Sequence, residues 1–95
     1  MAMFEVELRA FKQGQIRQVE VPDKELVGKN DLGALELIFK YGQNDFQPMQ
    51  LPSVSMGDIV RYGGKRHLVI SVGFSEVPND YSLTGMEAIM EAMRK

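Results

Sequence analysis

The chain contains no cysteine, no tryptophan and a single histidine. Without cysteine there are no disulfides and no thiolate metal sites, and the redox compartment stays open. One histidine cannot supply the pair of imidazoles that a two-histidine metal face needs, so the residues imply no metal, and they call for no cofactor. No apolar run approaches the ~20 residues of a membrane span. Met1-Ala2-Met3-Phe4-Glu5-Val6-Glu7 carries acids where a secretory signal needs cations. The expectation is a soluble, cytoplasmic chain with no membrane association. Neither sign of charge dominates, with 11 Lys plus Arg against 13 Asp plus Glu and a net charge of -2; a nucleic-acid-binding domain usually shows a basic excess. What is present is an average globular composition, 44% hydrophobic and 25% charged in 95 residues, enough for one core and one domain, 1–95.

The N-terminal segment alternates, with Phe4, Val6, Leu8 and Ala10 on one side and Glu5, Glu7, Arg9 and Phe11 on the other, the period of a half-buried strand. A turn centred on Gln13-Gly14 sets Leu8 opposite Val19 and Val6 opposite Val21, so the apolar faces of a hairpin coincide up to Pro22, and Glu7 then faces Glu20. Glu5 and Glu7 share a strand face and read as a solvated edge. From Asp31 the period changes to helical: Leu32, Leu35, Ile38 and Phe39 share a face, Asp31 is the expected N-cap, Glu36 and Lys40 form an i,i+4 pair, and Gly42 ends the helix in a left-handed conformation. Pro22 to Val27 adds a single turn before it. Pro48 and Pro52 exclude a central strand from the loop Gly42 to Asp58, whose Phe46, Met49, Leu51, Val54 and Met56 are expected to cross the core.

Ile59–Tyr62 and Lys65–Val72 flank Gly63-Gly64, a two-residue hairpin turn that places Ile59 opposite Leu68, with the second strand running on to Phe74. Thr84 and Glu87 have capping-box spacing ahead of a C-terminal helix reaching Arg94. The reading is an α+β domain: two hairpins build a twisted antiparallel sheet or a partly open small SH3-like barrel, with the central and C-terminal helices packed on it.

Catalytic constellations are nearly absent, and the expectation is that the chain is not an enzyme. Ser55-Met56-Gly57-Asp58 superficially resembles the Ser-Met and Gly-Asp boxes of Ser/Lys proteases, but the two boxes are fused, leaving no room for a nucleophile turn and a separate base-bearing strand. Three segments carry binding potential instead. The amide-rich Tyr41, Gln43, Asn44, Asp45 and Gln47 suit hydrogen bonding to a partner backbone, although Asn44 and Asp45 equally serve Asx turns. Arg61, Tyr62, Lys65, Arg66 and His67 concentrate cations and an aromatic on a hairpin tip, the parts of a weak nucleic-acid site. Met86, Ile89, Met90 and Met93 form one face of the last helix, fit either for the chain's own core or for a homodimer.

The stretch Tyr41-Gly42-Gln43-Asn44-Asp45-Phe46-Gln47-Pro48, followed by Pro52-Ser53-Val54-Ser55-Met56-Gly57-Asp58-Ile59-Val60 and Val72-Gly73-Phe74, resembles a recurring pattern in short bacterial proteins carried on plasmids and phages. That resemblance implies a mobile-element accessory protein and brings no activity or functional residue with it. The expected role is a non-catalytic interaction module that binds a protein partner or itself, with nucleic acid as the alternative ligand.

Overall fold

A computed structural model describes residues 2–10, 15–43 and 54–95. The elements are β1 (Ala2–Leu8), β2 (Gln15–Val21), α1 (Asp23–Leu26), α2 (Asp31–Tyr41), β3 (Ile59–Tyr62), β4 (Lys65–Ile70), β5 (Gly73–Val77) and α3 (Gly85–Arg94). The strands form one antiparallel sheet in the order β2-β1-β3-β4-β5. β1 pairs with β2 on one side and β3 on the other, so the first strand joins the two halves of the sheet.

The sheet is open, which corrects the barrel alternative. Closure would need one face to become an interior, and here each face buries an apolar cluster beneath its own helix. Val6, Leu8, Val19, Val21, Val60 and Val69 pack beneath Leu35 and Ile38 of α2. Ile59, Leu68 and Val77 pack on the opposite face beneath Ala92 of α3. Each fully buried aliphatic side chain contributes roughly 1.5–3 kcal/mol relative to exposure, and the two clusters share the sheet as a common wall.

Local geometry follows the residue pattern in some places and departs from it in others. Ile59 faces Leu68 and Tyr62 faces Lys65 across Gly63-Gly64, as the turn chemistry demands, with both glycines at positive φ. The first hairpin is displaced by four residues from its expected register: Phe4 faces Val19, Val6 faces Arg17 and Glu7 faces Ile16, while Glu20 lies opposite Met3. An even slip keeps every side chain on its own face, so the apolar pattern could not distinguish the two registers. Arg17 shares the α2 face with Val19 and Val21 in either register, and the slip sets it opposite Val6, where it is buried and loss of water pushes its guanidinium pKa down. The expected turn at Gln13-Gly14 lies outside the described residues.

The expected long strand from Lys65 instead turns at Ser71-Val72 into β5. Ile70 faces Gly73, whose φ of 98° suits only glycine well, and Phe74 folds back opposite Val69. Val72, in the turn, is 88% exposed. The N-cap of α2 is Asn30 rather than Asp31, its Oδ1 accepting from the Gly33 amide at 2.8 Å. Gly42 stays right-handed at φ -73°, so its lack of a side chain serves packing instead: a Cβ there would lie 2.4 Å from Val54 Cγ2. The Glu36–Lys40 pair does not form, and Lys40 Nζ sits 5.7 Å from the centre of the Tyr41 ring.

Thr84 holds the N-cap position of α3 without a side-chain bond, so the capping box is absent. The Gly85 amide donates to Arg9 O at 2.6 Å, which ties the helix start to the chain leaving β1. Among the described residues no helix is long and apolar enough to cross a membrane.

Candidate functional site

The face of α3 turned to the sheet is made of its smallest residues. Ala88 and Ala92, one turn apart, are fully buried, and Ile89 is half-buried. This corrects the grouping of Ile89 with the methionines: a helix seated through alanine lies close to the sheet and turns its i, i+4, i+7 methionines outward. Met86 is 69% exposed, Met90 57% and Met93 62%. They form a stripe with Glu87 near its N-terminal end and Arg94 and Lys95 near its C-terminal end. α3 covers β3 to β5 only, and Met3 and Ile16 are exposed on the same side of the sheet over β1 and β2.

The basic hairpin is divided by its own strand alternation. Arg61 and Arg66 project to the α3 face, where the register sets Gln18, Glu5, Arg61, Arg66 and Val77 in one row across the sheet. Tyr62 lies on the other face, its ring centroid 5.8 Å from that of Phe4, and His67 Nε2 lies 3.4 Å from Tyr62 O. Lys65 is exposed, 3.7 Å from Glu76. Arg61, Tyr62 and Lys65, with Met3, Glu5 and Gln18, border an open groove of about 610 Å³.

The two arginines converge on Glu7. This carboxylate read as solvated, yet β1 is an interior strand, and Glu7 is 3% exposed. Its Oε1 accepts from Arg9 Nε at 2.7 Å and Arg66 Nη2 at 2.9 Å, and its Oε2 from Arg61 Nε at 2.9 Å and Arg66 Nε at 3.0 Å. Burial alone would push the carboxyl up; the hydrogen bonds from Arg66, Arg9 and Arg61 outweigh it and hold the pKa at about 2. Arg61 also reaches Glu5 at 2.8 Å. Arg66 spends its remaining donors on the carbonyls of Pro78, Asn79 and Tyr81, each at 2.9 Å, and Arg9 Nη1 reaches Leu83 O at 3.3 Å. The cluster therefore binds the connection between β5 and α3 onto the sheet. All five donors of Arg66 are thereby engaged, and Arg61 is flanked by the Glu5 and Glu7 carboxylates.

The amide-rich segment is equally engaged where it is described. Tyr41 Oη donates to Glu25 Oε2, joining α1 to α2. Gln43 Nε2 donates to Phe39 O at 3.0 Å and Val54 O at 3.1 Å, bracing the helix end against the returning chain. Asn44, Asp45 and Gln47 lie outside the described residues.

The second buried carboxylate also has a structural post. Asp58 Oδ1 accepts from the Ala10 amide at 2.9 Å and Oδ2 from the Ser55 amide at 2.9 Å, pinning the end of β1 to the turn before β3. Burial raises its pKa against these hydrogen bonds. Sequence reasoning missed both carboxylates because burial depends on strand order, which local alternation does not encode. Among the described residues no three His, Asp or Glu side chains stand together as a metal site. No protein-family model matches the chain, and no curated protein or solved structure matches it.

Proposed function

We propose that the protein is a non-catalytic interaction module that self-associates through α3. The observation that supports this reading is the exposed Met86, Met90 and Met93 stripe on a helix whose other side is already seated on the sheet. Flexible thioethers suit an adaptable apolar contact. The stripe is self-complementary when two copies pack antiparallel about a two-fold axis: Met90 meets its own copy, Met86 meets Met93, and Glu87 approaches the copy's Arg94. A helix of ten residues spans about 15 Å, so the contact is small and the dimer belongs in the micromolar range. The resemblance of the 41–60 stretch to short plasmid- and phage-borne proteins favours an accessory role on a mobile element.

Sedimentation velocity from about 5 to 500 μM tests the reading, a span chosen to bracket a micromolar dimer. The wild type shifts from monomer to dimer, and Met90→Glu, which brings two carboxylates together at the axis, stays monomeric with unchanged circular dichroism. Glu87→Lys weakens the dimer and Glu87→Lys with Arg94→Glu restores it. A wild type that is monomeric throughout, or a Met90→Glu variant that dimerises like the wild type, overturns the reading.

A further inference from the structure

On the face away from α3, a cleft of about 240 Å³ opens between α2 and the β4–β5 hairpin, lined by Glu36, Phe39, Val69, Ser71, Gly73 and Phe74. Glu36 and Phe39 are three apart on α2 and so share one side of the helix. Phe74 stands opposite Val69 on the strands below. At about 240 Å³ the space is below the usual range of small-molecule pockets and fits one long side chain. Its walls are two phenylalanine rings, and Glu36, at its rim, makes no ion pair among the described residues.

The cleft lies beside the end of the sheet. β5 is the terminal strand, and no strand among the described residues covers its outer edge. The tight turn at 71–72 closes on the Ile70–Gly73 pair, so the antiparallel alternation directs Gly73, Ser75 and Val77 toward β4 and leaves the N–H and C=O of Phe74 and Glu76 pointing outward. Neither residue's main chain makes a turn, loop or side-chain hydrogen bond among the described residues.

We propose that this edge and cleft together form a binding site for an extended basic peptide segment of a partner protein. The peptide adds as a sixth strand beside β5, pairing its main chain with Phe74 and Glu76, and inserts one arginine or lysine side chain into the cleft. There the aliphatic stem lies against Phe39 and Phe74 and the charged head meets Glu36. The outward main-chain groups supply binding that is indifferent to sequence, and the Glu36 carboxylate supplies the choice of charge. Glu76 on β5 is already paired with Lys65, so the choice of a basic over an acidic ligand rests on Glu36, with the net charge of -2 acting in the same direction.

Fluorescein-labelled pentapeptides of sequence Thr-Val-X-Val-Thr, with Arg, Leu or Glu at X, test the proposal by anisotropy and by amide NMR titration of the full chain. The expected result is displacement of the Phe74 and Glu76 amide signals and binding of the Arg peptide about fivefold tighter than the Glu peptide, the scale of one exposed ion pair. Glu36→Lys, a change on an exposed helical position, reverses that preference. Glu76→Pro, which removes an outward donor, abolishes binding of all three peptides. The proposal is overturned if no peptide displaces the 74 and 76 amides, if the Arg and Glu peptides bind alike, if Glu36→Lys leaves the order unchanged, or if the displaced signals belong to Met86–Met93.

Discussion

Replacing Glu7 by Gln tests whether one carboxylate holds the α3 side of the sheet together. The change conserves shape and removes one negative charge from between three guanidiniums, leaving an amide whose NH₂ confronts donors where an acceptor stood. Two calculations bound the cost. A carboxyl held at about 2 instead of 4.5 contributes roughly 3 kcal/mol at neutral pH. Breaking a buried ion pair by removing one partner typically costs about 3–5 kcal/mol. Domains of this size have about 5–15 kcal/mol in total, so the variant should lose a large share of its stability and melt more than ten degrees lower, at about 4–8 °C per kcal/mol. The pH dependence gives an independent signature. Because the folded-state pKa is depressed, the contribution is present above the unfolded carboxyl's value near 4.5 and fades as the pH falls toward 2. Urea denaturation followed by circular dichroism at steps from pH 7 to pH 2.5 should therefore show a wild-type stability that declines across the acid limb, and a Glu7→Gln curve that is lower and flatter there. A variant within about 1 kcal/mol of wild type at pH 7, or one with the same acid slope, would refute the assignment of Glu7 as the hub; surface pairs are worth no more than that.

Other substitutions separate the parts of the structure. Arg66→Gln, which removes five hydrogen bonds to Glu7 and to the carbonyls of Pro78, Asn79 and Tyr81, should destabilise far more than Lys65→Gln, whose contact to Glu76 is exposed and 3.7 Å long; thermal melts rank the two. Gly42→Ala forces a Cβ to 2.4 Å from Val54 Cγ2 and should cost about 1–3 kcal/mol, and pairing it with Val54→Ala should recover part of the loss in a double-mutant cycle. Asn30→Ala removes the side-chain cap of α2 and should cost about 1 kcal/mol by urea titration.

The elements with strict local rules were legible in the sequence. Gly63-Gly64 determined both the turn and the β3–β4 register, and the change from a period of two to a helical period at residue 31 located α2. Where a rule depended on a partner far along the chain, the pattern was blind. Ser71-Val72 contains no strong turn former, and only the glycine after it marks the β4–β5 hairpin. Leu8 could sit opposite either Val19 or Gln15 without exposing an apolar side chain, because both choices preserve the faces. The methionines of α3 fitted a core face as well as a dimer face because the helix's actual seat, made of Ala88 and Ala92, has too little hydrophobicity to register in a periodicity argument. Glu7 looked solvated for the same reason that Arg61 and Arg66 looked available: nothing local states that residues 54 and 59 positions apart will be neighbours.

The central place of β1 also sets the order in which the molecule must assemble. Two units with short connections, the β1–β2 hairpin and the β3–β4–β5 meander, can form from contacts close in sequence, each within microseconds for its elementary step. Joining them requires residues 5–7 to find residues 59–61, and that loop closure comes late because its entropy is lost before any contact across the seam is gained. Interactions that exist only across the seam are then absent from an early transition state. Severing Arg61 from Glu7 should therefore leave the refolding rate nearly unchanged and appear almost wholly as faster unfolding, which makes the seam the part of this protein that governs how long a folded molecule survives.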